Sequence, residues 1–263
     1  MRRASTRFYI VGPGWVNREK YEHELKAVQD TLADLQRDYI LGGHRGIVVL
    51  EGADAAGKGG LIRRIAWTVD PRAMRVWPIS APSARESRQH WLQRFWEKMP
   101  ETGQIAIFDR SWYGRVLVER VEGYACEEEW RRAYREIREF EQQLLAEKFR
   151  IVKLCLHITK ETQIERFQAR YDNPQKRWKL TAEDIRNREK WDAYQAAFDE
   201  MILETDYDGA PWYRIDANSK RAARIEGLHR IVKTLRKDIK PATRVLSPEV
   251  KAFFEGLKSS GLH

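Results

Sequence analysis

The sequence predicts an α/β fold, a parallel sheet of five strands covered on both faces by helices. Short apolar runs of strand length alternate with longer stretches at helical spacing. The first such run opens directly into a glycine-rich loop and then a helix. Several of the strand candidates are apolar throughout rather than alternating, as strands buried on both faces are.

Each element has its own signal. Residues 18–40 carry Tyr21, Leu25, Val28, Leu32, Leu35 and Tyr39 on one helical face, and Gly42-Gly43 ends that helix. The strand at 46–51 follows, and the loop after it leads into a helix through Leu61-Ile62-Arg63-Arg64-Ile65-Ala66. A second strand is expected at 74–79, where Pro78 places its end at a sheet edge or a bend. Residues 84–98 read as a helix, and a third strand occupies 104–109. Residues 127–148 bring Trp130, Tyr134, Ile137, Phe140, Leu144 and Leu145 onto one face, and Ile151 to Ile158 reads as the fourth strand. Helices are expected at 160–170 and at 181–204, the second opened by the capping-box pattern Thr181-Ala182-Glu183-Asp184. Trp212 to Asp216 gives the fifth strand and 219–237 a closing helix. After Pro241 the tail turns polar, with a short helix able to start at Ser247-Pro248-Glu249.

Composition narrows the class. With 263 residues, 42% hydrophobic and 33% charged, the chain suffices for one large α/β domain with short additions. Ten tryptophans and nine phenylalanines exclude a disordered chain. No apolar run reaches membrane-spanning length, and no apolar signal core follows the basic stretch Met1 to Arg7, so a cytoplasmic protein without a membrane partner is expected. Cys126 and Cys155 have no metal-ligand partners at a recognised spacing and read as reduced packing residues. His157, at a strand end, reads likewise as packing. The net charge of +9 points to a polyanion without saying which.

The loop Gly52-Ala53-Asp54-Ala55-Ala56-Gly57-Lys58-Gly59-Gly60 is placed as phosphate-binding loops are, between a strand and a helix N-terminus. Its glycines let backbone N–H groups close on phosphate oxygens, and Lys58 adds a point charge. Gly59 stands where a hydroxyl normally holds magnesium, and Asp54 puts a carboxylate inside the loop. A carboxylate there repels phosphate unless a metal lies between them, so the metal ligand is expected to be Asp54. Asp109, ending the 104–109 strand, supplies a second carboxylate, and the pair forms a hard oxygen site suited to Mg²⁺.

Two further clusters carry positive charge. In Asp109-Arg110-Ser111-Trp112-Tyr113-Gly114-Arg115, continuing to Glu119-Arg120, the guanidinium groups of Arg110, Arg115 and Arg120 suit a chain of phosphates. For Arg115 and Arg120 the alternative partner is an acidic neighbour such as Glu119. Trp112 and Tyr113 read as packing residues. The segment Arg166, Arg170, Tyr171-Asp172-Asn173-Pro174-Gln175-Lys176-Arg177-Trp178-Lys179 is a basic helix end, a proline turn and more basic residues. It reads as a lid that closes over phosphates, the alternative being a solvated basic face.

Together Gly52 to Gly60, Phe108 to Val121 and Arg166 to Leu180 resemble the type 2 polyphosphate kinase family, and weaker similarity runs from about Trp15 to Leu235. The resemblance implies a P-loop kinase fold like that of thymidylate kinase, a three-layer sandwich with a helical basic lid. It also implies reversible phosphoryl transfer between inorganic polyphosphate and nucleotides, with Mg²⁺ and homo-oligomers, dimers or tetramers. Carried onto this sequence, Asp54 and Asp109 match the magnesium carboxylates, Lys58 and Arg110 the residues on the transferred phosphate, and Arg170, Lys176 and Arg177 the lid. The candidate phosphate contacts comprise Ala55, Ala56, Gly57, Lys58, Gly59, Gly60, Arg115, Glu119, Arg120, Lys176, Arg177 and Lys179. In domain terms this is residues 1–263 as one kinase domain, with a helical extension at about 15–42, a lid at about 166–190 and a tail at about 241–263. Many diphosphate-specific members carry Asn after Trp-Tyr and continue Arg-Ala-Gly-Val-Glu. This chain has Gly114 and Arg115-Val116-Leu117-Val118-Glu119, closer to members that phosphorylate AMP.

Two rivals share parts of this pattern. An ATP-dependent nucleotide kinase would use the same loop, but the missing hydroxyl after Lys58 and the cleft arginines count against it. A non-catalytic nucleic-acid module would explain the charge, but no recognition helix or aromatic platform stands at a known spacing.

Overall fold

The computed structural model describes residues 17–242 and 245–259. The basic N-terminal stretch and the last four residues of the expected tail lie outside them. In chain order the elements are α1 (Arg18–Gly42), β1 (Arg45–Gly52), α2 (Lys58–Ala66), β2 (Met74–Pro78), α3 (Gln93–Trp96), β3 (Ile105–Asp109), α4 (Val118–Val121), α5 (Glu127–Ala146), β4 (Phe149–His157), α6 (Lys160–Tyr171), α7 (Ala182–Glu189), α8 (Trp191–Thr205), β5 (Trp212–Asp216), α9 (Lys220–Leu235) and α10 (Pro248–Ser259).

The five strands form one sheet in the order β2-β3-β1-β4-β5, every pair parallel. Placing β1 at the centre explains its uninterrupted apolar run Ile47-Val48-Val49-Leu50, since both of its faces are covered. Pro78 ends the edge strand β2, where a missing N–H costs no ladder bond. Even-numbered residues of β1 and β4, with β5, pack under α1, α2 and α9. The opposite faces of β1, β3 and β4 pack against α5 and α8 with Phe95, Trp112 and Tyr113. This makes three layers. Tyr39 Oη donates to the Leu235 carbonyl at 2.8 Å and joins α1 to α9.

Two helices differ from expectation. Residues 84–98 form a 3₁₀ turn at Glu86–Arg88 and the short α3 rather than a helix. Only Leu92 and Phe95 of that stretch are buried, too few for an amphipathic stripe, and Glu86 instead turns back to accept from the Ser83 amide at 2.7 Å. The 181–204 helix is two, broken at Lys190, whose ammonium reaches Glu122 Oε2 at 2.9 Å. The capping box at Thr181 and Asp184 forms as expected. So do the strand end at Pro78 and a helix beginning at Pro248.

Parallel strands point their carboxyl ends at one edge of the sheet, and there the loops after β1 and β3 meet. Leaving β1, the chain turns at Gly52 with φ 136°, and a Cβ there would lie 2.2 Å from the Leu156 carbonyl oxygen. Only glycine fits. Gly57, φ 116°, makes the second sharp turn into α2.

Candidate active site

The loop 52–60 is held from its carbonyl side. Arg166 Nη1 donates to the carbonyls of Ala55 and Ala56 at 2.9 and 3.1 Å, and its Nη2 to Ala217 and Asn218 at 2.6 and 3.0 Å. Gln163, one turn earlier on α6, donates to the Asp54 carbonyl at 3.1 Å. Within the loop and the first turn of α2 the Ala56 amide donates to the Ala53 carbonyl at 3.1 Å, and those of Gly60 and Leu61 to the Gly57 carbonyl at 2.9 and 3.1 Å, so the N–H groups that a helix start leaves over are those of Lys58 and Gly59. Ala55 takes φ 62°, an uncommon conformation for a residue with a Cβ, and Arg110 takes the same value after β3. Such backbone costs roughly 1–3 kcal/mol per residue and concentrates at functional sites.

Asp54 lies at the centre of a charged junction. Arg110 Nη2 donates to its Oδ1 at 3.0 Å, and Asn187 on α7 donates to its Oδ2 at 2.8 Å. The other end of the Arg110 guanidinium donates to Glu183 Oε1 at 3.2 Å. Burial works against ionisation of Asp54, yet Lys58 and Arg110 outweigh it and hold its carboxyl below the usual range. Burial likewise opposes the charge of Arg110, and Asp54 with Glu183 more than restores it. Lys58 Nζ donates to the Gly52 and Ala53 carbonyls at 2.6 and 3.3 Å, lying back over the loop.

The sheet register sets Asp109 beside Leu50, and the Arg110 amide donates to the Leu50 carbonyl at 3.1 Å. Asp109 thus ends the strand beside β1, and Asp54 lies in the loop that leaves β1. Next to them is a group the sequence reading missed. Glu51 is buried at the end of β1, accepts from Ser111 Oγ at 2.8 Å, and is pushed by burial up to about 7. A carboxylate directly after Val48-Val49-Leu50 was the available signal.

A cavity of about 780 Å³ opens from this junction. Asp54, Arg110 and Asn187 line it, as do the rings of Trp91, Phe95 and Tyr194. Arg115 also lines it, paired with Glu119 Oε2 at 2.9 Å, and burial holds the Glu119 carboxyl above its usual range against the pull of Arg115. Arg120 lies elsewhere: it bonds Glu200 at 2.8 Å and Tyr134 Oη at 3.1 Å and stacks over Trp130.

Beneath the Asp109–Arg115 segment, Trp112 and Tyr113 are fully buried, as expected of packing residues. Both donate to Glu141 Oε1, at 3.1 and 2.7 Å, while Lys153 Nζ donates to Glu141 Oε2 at 2.8 Å. Lys153 and Glu141 are fully buried, and Lys153 is also ringed by Tyr113, Tyr207 and Trp212. This buried ion pair fixes the turn that presents Arg110.

The segment expected to act as a lid runs from the end of α6 into α7, where Arg170 also lies 3.8 Å from Asp184 Oδ1. Arg170 donates to the Lys179 carbonyl at 2.9 Å and Arg177 to the Tyr171 carbonyl at 2.7 Å. Lys176, Lys179 and Trp178 are exposed. Arg166, grouped with these residues in the sequence, is instead buried as the brace of the loop. His157 contacts Arg214 at 3.3 Å, and burial with that guanidinium keeps its imidazole below the ordinary range. Cys126 starts α5, and Cys155 lies buried in β4 with its thiol pushed up to about 12 by burial.

Comparison with known proteins is consistent with this geometry. A polyphosphate:AMP phosphotransferase of Pseudomonas syringae pv. tomato is 49% identical over 222 residues, which are 84% of this chain and 45% of that protein. The chain thus spans about half the length of that relative. An ADP-polyphosphate phosphotransferase of Pseudomonas aeruginosa is 37% identical over 85% of the chain and 73% of its own length. The crystal structure of polyphosphate kinase 2 from Arthrobacter aurescens TC1 superposes with a TM-score of 0.87 at 30% identity, covering 97% of this chain and 94% of that one. The model of the polyphosphate kinase 2 family matches residues 15–243, and the chain belongs to that family.

Proposed function

We propose that this protein transfers a phosphoryl group between inorganic polyphosphate and a nucleotide, with AMP as the preferred acceptor and ADP or guanine nucleotides as further candidates. The observation that carries the reading is the junction of Asp54, Arg110 and Asn187 in the lining of the cavity, where the loop 52–60 meets the end of β3. The relatives support the choice of acceptor: proteins named for AMP match at 48–49% identity, those named for ADP or GDP at 37–40%.

Phosphoryl transfer demands little covalent chemistry of a protein, because an acceptor phosphate oxygen is already a competent nucleophile. Catalysis is then positioning and charge neutralisation. The loop amides and Lys58 hold the donor phosphate, and Arg110 lies where it can bind the group in flight. Arg170, Lys176, Arg177 and Lys179 add charge from the lid when it closes, excluding water that would hydrolyse the donor. The cavity behind Arg110 seats the acceptor nucleotide against Trp91 and Phe95.

The donor set fits Mg²⁺. Among the described residues no group of three or more His, Cys, Asp or Glu side chains gathers into a protein cage. Asp54 and Asp109 are what a cation needs that completes its shell with water and substrate phosphates. Bound there, Mg²⁺ would neutralise phosphate charge.

The test offers AMP, ADP, GMP and GDP separately with polyphosphate and Mg²⁺. Formation of ADP from AMP supports the reading. Product from ADP but never from AMP would reverse the choice of acceptor, and no product from any acceptor would overturn the function.

A further inference from the structure

Segment 172–181 joins two helices, α6 and α7, that are clasped together at their far ends. Arg188, in the last turn of α7, reaches back to the first turn of α6. Its Nη1 donates to the Lys160 carbonyl at 2.7 Å and to Gln163 Oε1 at 3.1 Å. That nitrogen carries two hydrogens, one for each acceptor.

Gln163 passes the clasp on to the loop. Its side chain is buried, and both ends of its amide are engaged: Oε1 accepts from Arg188, and Nε2 donates to the Asp54 carbonyl at 3.1 Å. A reversed amide would set donor against donor at one end and acceptor against acceptor at the other. Arg188 therefore fixes which way the amide faces, and so offers the loop a donor. The residue before it, Asn187, donates to the Asp54 carboxylate. From adjacent positions α7 thus holds Asp54 at its side chain directly and at its backbone through Gln163. The Asp54 carbonyl belongs to the peptide that enters Ala55, whose φ of 62° is a conformation that lasts only where its surroundings hold it.

We infer that Gln163 and Arg188 are positioning residues for phosphoryl transfer: in series they set the backbone of Asp54 and tie the α6–α7 pair to the loop 52–60. The inference rests on the proposed role of Asp54 beside the reacting phosphates, and it assigns a purpose to two side chains that need touch no substrate. An acid placed by its carbonyl and its carboxylate together has one orientation. With the carbonyl released, Asn187 alone leaves the peptide after Asp54 free to turn.

Initial rates with polyphosphate, AMP and Mg²⁺, paired with amide hydrogen exchange of the protein alone, test it. Gln163→Leu and Arg188→Gln should each lower kcat roughly ten- to a hundredfold while KM for AMP stays within about twofold, because the reacting groups are misplaced and the seat of the acceptor is not. Adding Arg188→Gln to Gln163→Leu should cost less than about twofold more, since the two act in series. In each single variant the amides of 53–57 should exchange faster than in the parent, with those of α5 unchanged. Arg188 is only half-buried, so its variant leaves no hole in the core and separates coupling from a packing defect at Gln163. An unchanged kcat in Arg188→Gln, or full additivity of the two variants, would overturn the inference. So would a raised KM for AMP with kcat kept, which would make Gln163 a contact of the acceptor in the cavity it lines. Faster loop exchange in variants of a protein that transfers phosphate to no nucleotide would leave the clasp standing and refute the proposed activity instead.

Discussion

Asn187 donates to Asp54 Oδ2 at 2.8 Å across 133 positions of sequence, so α7 is fastened to the carboxylate inside the loop 52–60. Glu183, one turn earlier on the same helix, holds Arg110. In this arrangement the loop's acid and the strand-end arginine already have protein partners, and a phosphate bound at Arg110, as proposed, would compete with Glu183 for the guanidinium.

Relieving that competition should help the donor. The Glu183 side chain is 44% exposed, so its pairing with Arg110 is worth no more than about 1 kcal/mol. Glu183→Gln is expected to lower KM for polyphosphate roughly two- to fivefold, read from initial rates. A higher KM would mean that Glu183 positions Arg110 productively instead of competing for it.

The buried pair under the arginine turn makes a stability prediction. Lys153→Met strands the Glu141 carboxylate in the core and should cost about 3–5 kcal/mol in urea unfolding. Adding Glu141→Gln removes that orphaned charge while keeping an acceptor for Trp112 and Tyr113, and should recover part of the loss. A single variant as stable as the parent would contradict the assignment.

These polar residues show what the sequence made legible. The five strands emerged because apolar runs of the right length have few other uses, and the edge position of β2 could be read from Pro78. Asp54, Lys58 and Asp109-Arg110 were readable because loop and strand end are local patterns. Asn187, Glu183 and Gln163 were not, since their purpose is a contact made from 73 to 133 positions away. The break at Lys190 was hidden for a related reason: no Gly or Pro marks it, and Lys190 reaches Glu122 only in the folded chain. Glu51 and Lys153 did leave a trace, each a charge inside an otherwise apolar strand, the pattern of a buried and partnered ionisable group.

Glu51 also sets a pH dependence. Its carboxyl is raised from 4.5 to about 7 in the fold, so the folded chain holds this proton more tightly than the unfolded one. Below about pH 4.5 both states are protonated and the group contributes nothing. As pH climbs toward 7 the unfolded state ionises first, and the folded state loses relative stability until both are charged. Glu51→Gln should therefore stabilise the protein at pH 8 by on the order of 3 kcal/mol and change little at pH 4. Urea midpoints across that range check it, and equal effects at both ends would count against a buried, raised carboxyl.

The most direct test of the whole account is donor competition. AMP and Mg²⁺ are supplied with long-chain polyphosphate and ATP together, and phosphorus NMR follows each donor as product appears. The account predicts that the polyphosphate signal declines as AMP is phosphorylated while the γ-phosphate of ATP is not consumed. Loss of the γ-phosphate with polyphosphate left intact would contradict it, and would make the protein an ordinary ATP-dependent nucleotide kinase.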